Sequence, residues 1–132
     1  METSNPFDDY CKCIESGDFI GEAVATLKLI QKRTWMYVRK DYGYNALAAY
    51  VAGYLHSLSY RYDLKFKKLH GQSLLRDSIR YFCEKESLKS SDFNVPLCEI
   101  VKIQYAHLDD DGLVDVYLDV LIEFFKSKQS AD

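Results

Sequence analysis

Apolar side chains recur at spacings of three and four residues in every segment of this 132-residue chain. That spacing is typical of amphipathic helices, and no stretch shows the strict alternation that a half-buried strand requires. The sequence therefore predicts an all-α fold. Because five or six helices joined by short links are expected, an up-and-down bundle is the favoured architecture.

Length and composition favour one compact domain. Apolar residues make up 48% of the chain and charged residues 28%, which excludes intrinsically disordered, collagen-like and disulfide-scaffold proteins. We expect a single helical domain over residues 1–132, with a short N-terminal helix over 6–16 and a core bundle over 18–127.

Helix boundaries follow from capping residues and apolar stripes. Asn5-Pro6 is typical of a helix start, because asparagine caps and proline fits the first turn. A second helix is predicted over 18–42, ended by Gly43. Three further helices are predicted over 72–85, over 95–107 and after Gly112.

The helix predicted over 44–62 has the strongest periodic signal. Leu47, Tyr50, Val51, Tyr54, Leu55 and Leu58 lie on its predicted core side. Its other side carries Ala46, Ala49, Gly53 and Ser57. Small residues at helical spacing allow a second backbone to approach closely. We therefore expect this helix to be covered on two sides and to form the centre of the bundle.

Charge is distributed unevenly along the chain. Residues 1–22 hold six acidic and one basic side chain, 23–80 hold three and eleven, and 81–132 hold eleven and five, giving balances of −5, +8 and −6. If helices two to four share a face, their cations and tyrosines form a basic, Tyr-rich surface. Alternatively, the cations are solvated and the acidic ends of the chain neutralise them.

The candidate residues for binding a partner or nucleic acid lie in the basic middle section. They are Lys32, Arg33, Trp35, Arg39, Lys40, Arg61, Lys65, Lys67, Lys68, His70, Arg76 and Arg80. Phosphates would neutralise the cations, and bases could stack on the rings. An acidic or self-complementary protein surface is the other partner class.

No sequence motif indicates catalysis or a metal. An EF-hand loop starting at Asp109 would need a carboxylate at its twelfth position, which is Val120. The Asp109–Asp111 run is instead expected to cap the last helix. The four cysteines are expected to be free thiols, and neither a cofactor nor a metal site is predicted. His56, His70 and His107 have no partner set by sequence spacing.

The order of features over residues 18–126 resembles the HEPN domain family. The small-residue and aromatic helix over 45–55 is followed by a basic link and by His70 ahead of Leu74-Leu75; Tyr105-Ala106-His107 then precedes an acidic turn and a terminal helix. RNA-cleaving members of that family carry an arginine followed four to six residues later by a histidine. Here eight residues lie between Arg61 and His70. The resemblance therefore implies a dimerising helical bundle that binds, and no catalytic residue is carried over.

These observations predict a non-catalytic interaction module, a homodimer, that binds a second protein or another copy of itself through the basic, Tyr-rich face. The alternatives are a HEPN-type RNA-cleaving enzyme with a rearranged site and a protein that binds RNA or DNA. Residues 1–6 lack the basic and apolar regions of a secretory signal. The uncharged run between Asp41 and Arg61 contains asparagine, histidine and serine, so no membrane span is predicted. We expect a cytoplasmic protein.

Overall fold

The structure, a computed structural model, describes residues 5–66, 73–88 and 95–131. These residues form seven α-helices and one short 3₁₀ turn, Lys40–Tyr42, with no strand among them, which confirms the all-α class. The helices are α1 (Pro6–Ser16), α2 (Phe19–Lys32), α3 (Thr34–Tyr37), α4 (Gly43–Lys65), α5 (Ser73–Lys85), α6 (Leu97–Gln104) and α7 (Asp110–Ala131). Within the described ranges, no helix contains a segment both long and apolar enough to cross a lipid bilayer.

The helix predicted over 18–42 is interrupted, which raises the number of helices above the five or six predicted. The backbone of Arg33 leaves the helical region at φ −139° and ψ 57°. There the Thr34 hydroxyl donates a hydrogen bond to the carbonyl of Gln31 at 3.3 Å, a local bond that competes with helix continuation. Val38 is extended, and Gly43, at φ +77°, turns the chain into α4.

Short polar side chains cap several helices as the sequence predicts. Oδ1 of Asn5 accepts from the backbone N–H of Phe7 at 2.9 Å. Oδ1 of Asp109 likewise accepts from the N–H of Gly112 at 2.9 Å, which confirms the capping interpretation of the aspartate run.

The core is built around α7 and not around α4. The terminal helix packs against α2, α4, α5 and α6, whereas α4 packs against α2, α5, α7 and the 3₁₀ turn. Leu118, Leu121 and Phe125 of α7 are at most 1% exposed. The prediction that the third predicted helix forms the centre is therefore wrong, because α7 packs against four other helices and α4 against three.

Candidate interaction surface

The 23-residue helix α4 has one face that packs on the core and one face that no described helix covers. On the covered face Leu47, Val51 and Leu58 are completely buried against the core. The opposite side is a line of residues at helical spacing, all exposed or half-exposed. We call this line the α4 stripe. It consists of Ala46, Ala49, Tyr50, Gly53, Ser57, Tyr60 and Leu64.

Large apolar side chains of the α4 stripe face solvent. Tyr50 is 46% exposed, Tyr60 56% and Leu64 81%. A Cβ atom built on Gly53 would have no described atom within 4 Å. The prediction that α4 is covered on two sides is therefore wrong for the described chain, because its described helical neighbours pack on the other face.

Residues of α3 and the 3₁₀ turn extend this exposed surface. The ring centroids of Tyr37 and Tyr50 lie 5.8 Å apart. Met36, next to Tyr37, is 72% exposed. The Arg39 guanidinium lies 5.1 Å from the ring centroid of Tyr42. Aromatic, methionine and arginine side chains of this kind are enriched at protein interfaces.

Arg61 and Lys65 tie α4 to α1 and α2. The carboxylate of Glu22, only 3% exposed as a residue, accepts bonds from Arg61 at 3.2 and 3.0 Å and from the Tyr54 hydroxyl at 2.6 Å. The bond to Glu22 raises the pKa of Arg61, and burial, with the same carboxylate, raises the pKa of Tyr54. The Lys65 ammonium donates to the carbonyl of Gly17 at 3.0 Å. These two cations therefore have structural partners within the chain.

A second group of predicted site residues surrounds the end of α2. Lys32, Arg33, Trp35 and Lys40 line one shallow depression together with Asp111 of α7. The indole N–H of Trp35 donates to Asp111 at 3.3 Å, and the Lys40 ammonium lies 3.9 Å from the same carboxylate.

Carboxylates reach only part of this second group. Nearby, Arg39 pairs with Asp41 at 2.9 Å, and the Arg33 guanidinium contacts the Met36 sulfur at 3.7 Å. Lys32 is exposed and forms no ion pair with the described residues. Asp41 and Asp111 thus offset part of this positive charge.

Arg76 and Arg80 form a third group on α5. Both line a cavity that also contains His56 of α4. Arg80 lies 3.6 Å from the carboxylate of Asp77. Lys67, Lys68 and His70 lie outside the described residues. The described candidates therefore form three separate groups. Arg61 and Lys65 contact α1 and α2, the residues at the end of α2 contact α7, and Arg76 and Arg80 line the cavity.

The cysteines and the potential metal ligands are the remaining reactive side chains among the described residues. The four cysteines are free thiols, as the sequence predicts. Burial raises the pKa of Cys83 and of Cys98, so both thiols stay protonated at neutral pH. Over residues 5–66, 73–88 and 95–131, no three or more His, Cys, Asp or Glu side chains converge as a metal site would require.

Sequence reasoning missed the exposed residues of the α4 stripe. It placed Tyr50 on the core side, and it used the small residues to predict a neighbouring element within the chain. The available signal was the size pattern of the stripe, since Tyr60 and Leu64 continue the line of Ala49 and Gly53. No protein-family model, curated protein or solved structure matches this chain.

Proposed function

We propose that this chain is a non-catalytic interaction module that pairs with a second copy of itself through the α4 stripe. The observation that carries the proposal is an uncovered helix face with Tyr50, Tyr60 and Leu64 in solvent around an open Gly53. We also propose that the seven helices are arranged as an up-and-down bundle with α4 on its outside, which the close packing of α4 and α7 supports.

The chemistry of the stripe favours a protein helix as its partner. Contiguous exposed apolar side chains on a soluble protein mark interaction sites more often than isolated ones do. Ala49, Gly53 and Ser57 present little bulk, so a second helix could approach closely between the larger side chains. Tyr50 and Tyr60 would supply anchors of the type that dominates binding energy at interfaces.

The order of residue sizes along the stripe favours a second copy over an unrelated protein. Two small residues, Gly53 and Ser57, lie between Tyr50 on one side and Tyr60 on the other. In a two-fold antiparallel crossing near residue 55, Tyr50 of one protomer would face Tyr60 of its partner. Such a surface is self-complementary, as an isologous contact requires. The resemblance to HEPN domains, which implies a dimerising bundle, agrees with this proposal.

Partners within the chain make the cations less available for phosphate. Arg61, Lys40 and Arg39 lie beside Glu22, Asp111 and Asp41 respectively. A phosphate backbone at these places would meet carboxylates as well as cations. In our proposal Arg61 and Lys65 flank the stripe as a polar rim. The tyrosine rings, and not the cations, then make the central contacts of the basic, Tyr-rich face.

Sedimentation velocity over a range of protein concentrations tests this proposal with one matched pair of variants. Leu64 is 81% exposed on the stripe, and Ile103 is 73% exposed on α6. We expect a wild-type dimer whose dissociation constant rises about tenfold in Leu64→Ser, because that change removes an apolar contact of about 1.4 kcal/mol. Ile103→Ser should keep the wild-type dissociation constant.

Three other results would overturn the proposal. A wild-type chain that remains monomeric at the highest soluble concentration would exclude self-association. RNA binding that weakens steeply with salt would instead support the nucleic-acid alternative. RNA cleavage by the purified chain that is lost in His107→Ala would contradict a non-catalytic role and support the HEPN-type enzyme.

A further inference from the structure

A half-open cavity of about 440 Å³ lies between α4, α5, α6 and α7, and none of its lining residues belongs to the α4 stripe. Its described lining is mainly apolar and includes Leu55, Ile79, Leu97 and Leu121. The volume is within the range of small-molecule sites, and at about 30 Å³ per water-sized unit it would hold roughly a dozen non-hydrogen atoms.

One tyrosine of this lining lies almost completely inside the protein. Tyr117 is only 2% exposed and lines the cavity. Its ring meets Tyr44 edge-on, with centroids 6.0 Å apart, and the Tyr44 hydroxyl donates to the carbonyl of Cys98 at 2.7 Å. The Tyr117 hydroxyl donates no hydrogen bond to a described residue, so it can donate one to a ligand in the cavity. Burial raises the pKa of Tyr117, so this group is a neutral donor.

The ionisable groups of the described lining are cationic or neutral. Arg76, Arg80 and His56 line the cavity, and no aspartate or glutamate does. Arg76 is exposed and forms no ion pair with a described residue. Arg80 is held beside Asp77, whose carboxylate also lies 3.3 Å from the Lys128 ammonium. An arginine at the edge of an apolar cavity is suited to a carboxylate, which accepts two parallel bonds from a guanidinium.

We propose that this cavity binds a small organic carboxylate with an apolar body. The apolar body would lie against Leu55, Leu97 and Leu121, and the carboxylate would accept bonds from Arg76 and from the Tyr117 hydroxyl. A nucleic acid does not fit this lining, because the greater part of it is apolar. The inference does not rest on the proposed dimer, since no residue of the cavity lining belongs to the α4 stripe.

Isothermal titration with decanoate, below its micelle concentration, tests the proposal, with decanol as the uncharged probe of equal chain length. We expect wild type to bind decanoate at least tenfold more tightly than decanol. Arg76→Gln should weaken decanoate binding about tenfold and leave decanol binding unchanged, because only the anion uses the guanidinium. Arg33→Gln, an exposed arginine that does not line the cavity, is the matched control and should bind like wild type.

Two further variants test the position of the ligand. Ala52→Trp places an indole in the cavity and should abolish binding of both probes, with circular dichroism to verify the fold. Tyr117→Phe should weaken decanoate binding about fivefold, the value of one lost hydrogen bond. The proposal is overturned if decanoate and decanol bind equally, if neither binds, or if Arg76→Gln and Tyr117→Phe both retain wild-type affinity.

Discussion

The two faces of α4 are both rich in apolar residues, yet only one of them is covered. Leu47, Val51 and Leu58 on the inner face are completely buried, whereas Tyr60 and Leu64 on the outer face are more than half exposed. The inner face is mainly aliphatic, with the ring of Tyr44 among its buried residues. The outer face combines small residues with large apolar ones. Apolar character therefore predicts which faces can be buried, while the neighbouring helices determine which face is buried within the chain.

The largest expected effect contrasts one leucine from each face. Leu58→Ala should lower the free energy of unfolding by about 2–5 kcal/mol, because it leaves a cavity in a fully packed core. Leu64→Ala should change it by less than about 0.5 kcal/mol at protein concentrations where the chain is monomeric. Urea denaturation measures both. Equal losses would show that the two faces are equally covered.

A smaller effect is expected at Arg61, which lies between the two faces. Arg61→Met removes the guanidinium from Glu22 and leaves a buried carboxylate with the Tyr54 hydroxyl as its remaining described donor. We expect a loss of about 2 kcal/mol in the free energy of unfolding, reduced by the partial exposure of Arg61. Arg39→Met, which breaks the exposed pair with Asp41, should cost less than about 1 kcal/mol. Similar losses in the two variants would contradict a structural role for Glu22.

Alkaline pH should destabilise the inner face through Tyr44. Burial raises the pKa of Tyr44 above its ordinary value near 10. The stabilisation that the buried, protonated Tyr44 contributes is therefore complete below pH 10. It is lost as pH rises further, because Tyr44 of the unfolded chain releases its proton first. Above pH 10, Tyr44→Phe should reduce the slope of unfolding free energy against pH by up to about 1.4 kcal/mol per unit. Parallel curves for wild type and variant would contradict this assignment.

Helix class and several helix ends could be predicted from local sequence. The cap at Asn5 depends on interactions within a few residues, as does the cap at Asp109, so spacing alone was sufficient. The break at Arg33 could not be predicted, because the apolar stripe continues through it to Trp35 and Val38. It depends instead on a hydroxyl bond from Thr34 and on contacts of Trp35 with α7.

The candidate surface was predicted less well, because pairing of charges is a tertiary property. Sequence separates Arg61 from Glu22 by 39 positions, and Trp35 from Asp111 by 76. The local charge balance therefore showed an excess of cations, which carboxylates from distant parts of the sequence partly neutralise in the fold. The small residues of the α4 stripe correctly indicated close approach as a possibility, but no local pattern shows whether the approaching helix belongs to the same chain.

The most direct test of the uncovered face uses Gly53→Gln. Since a Cβ at Gly53 meets open space, this change should stabilise the monomer by about 0.5–1 kcal/mol through helix propensity. If a second α4 packs there, the same side chain should block the dimer. Sedimentation equilibrium is predicted to show a dimeric wild type and a monomeric Gly53→Gln variant with a higher midpoint of urea denaturation. An unchanged association state in the variant would contradict the account.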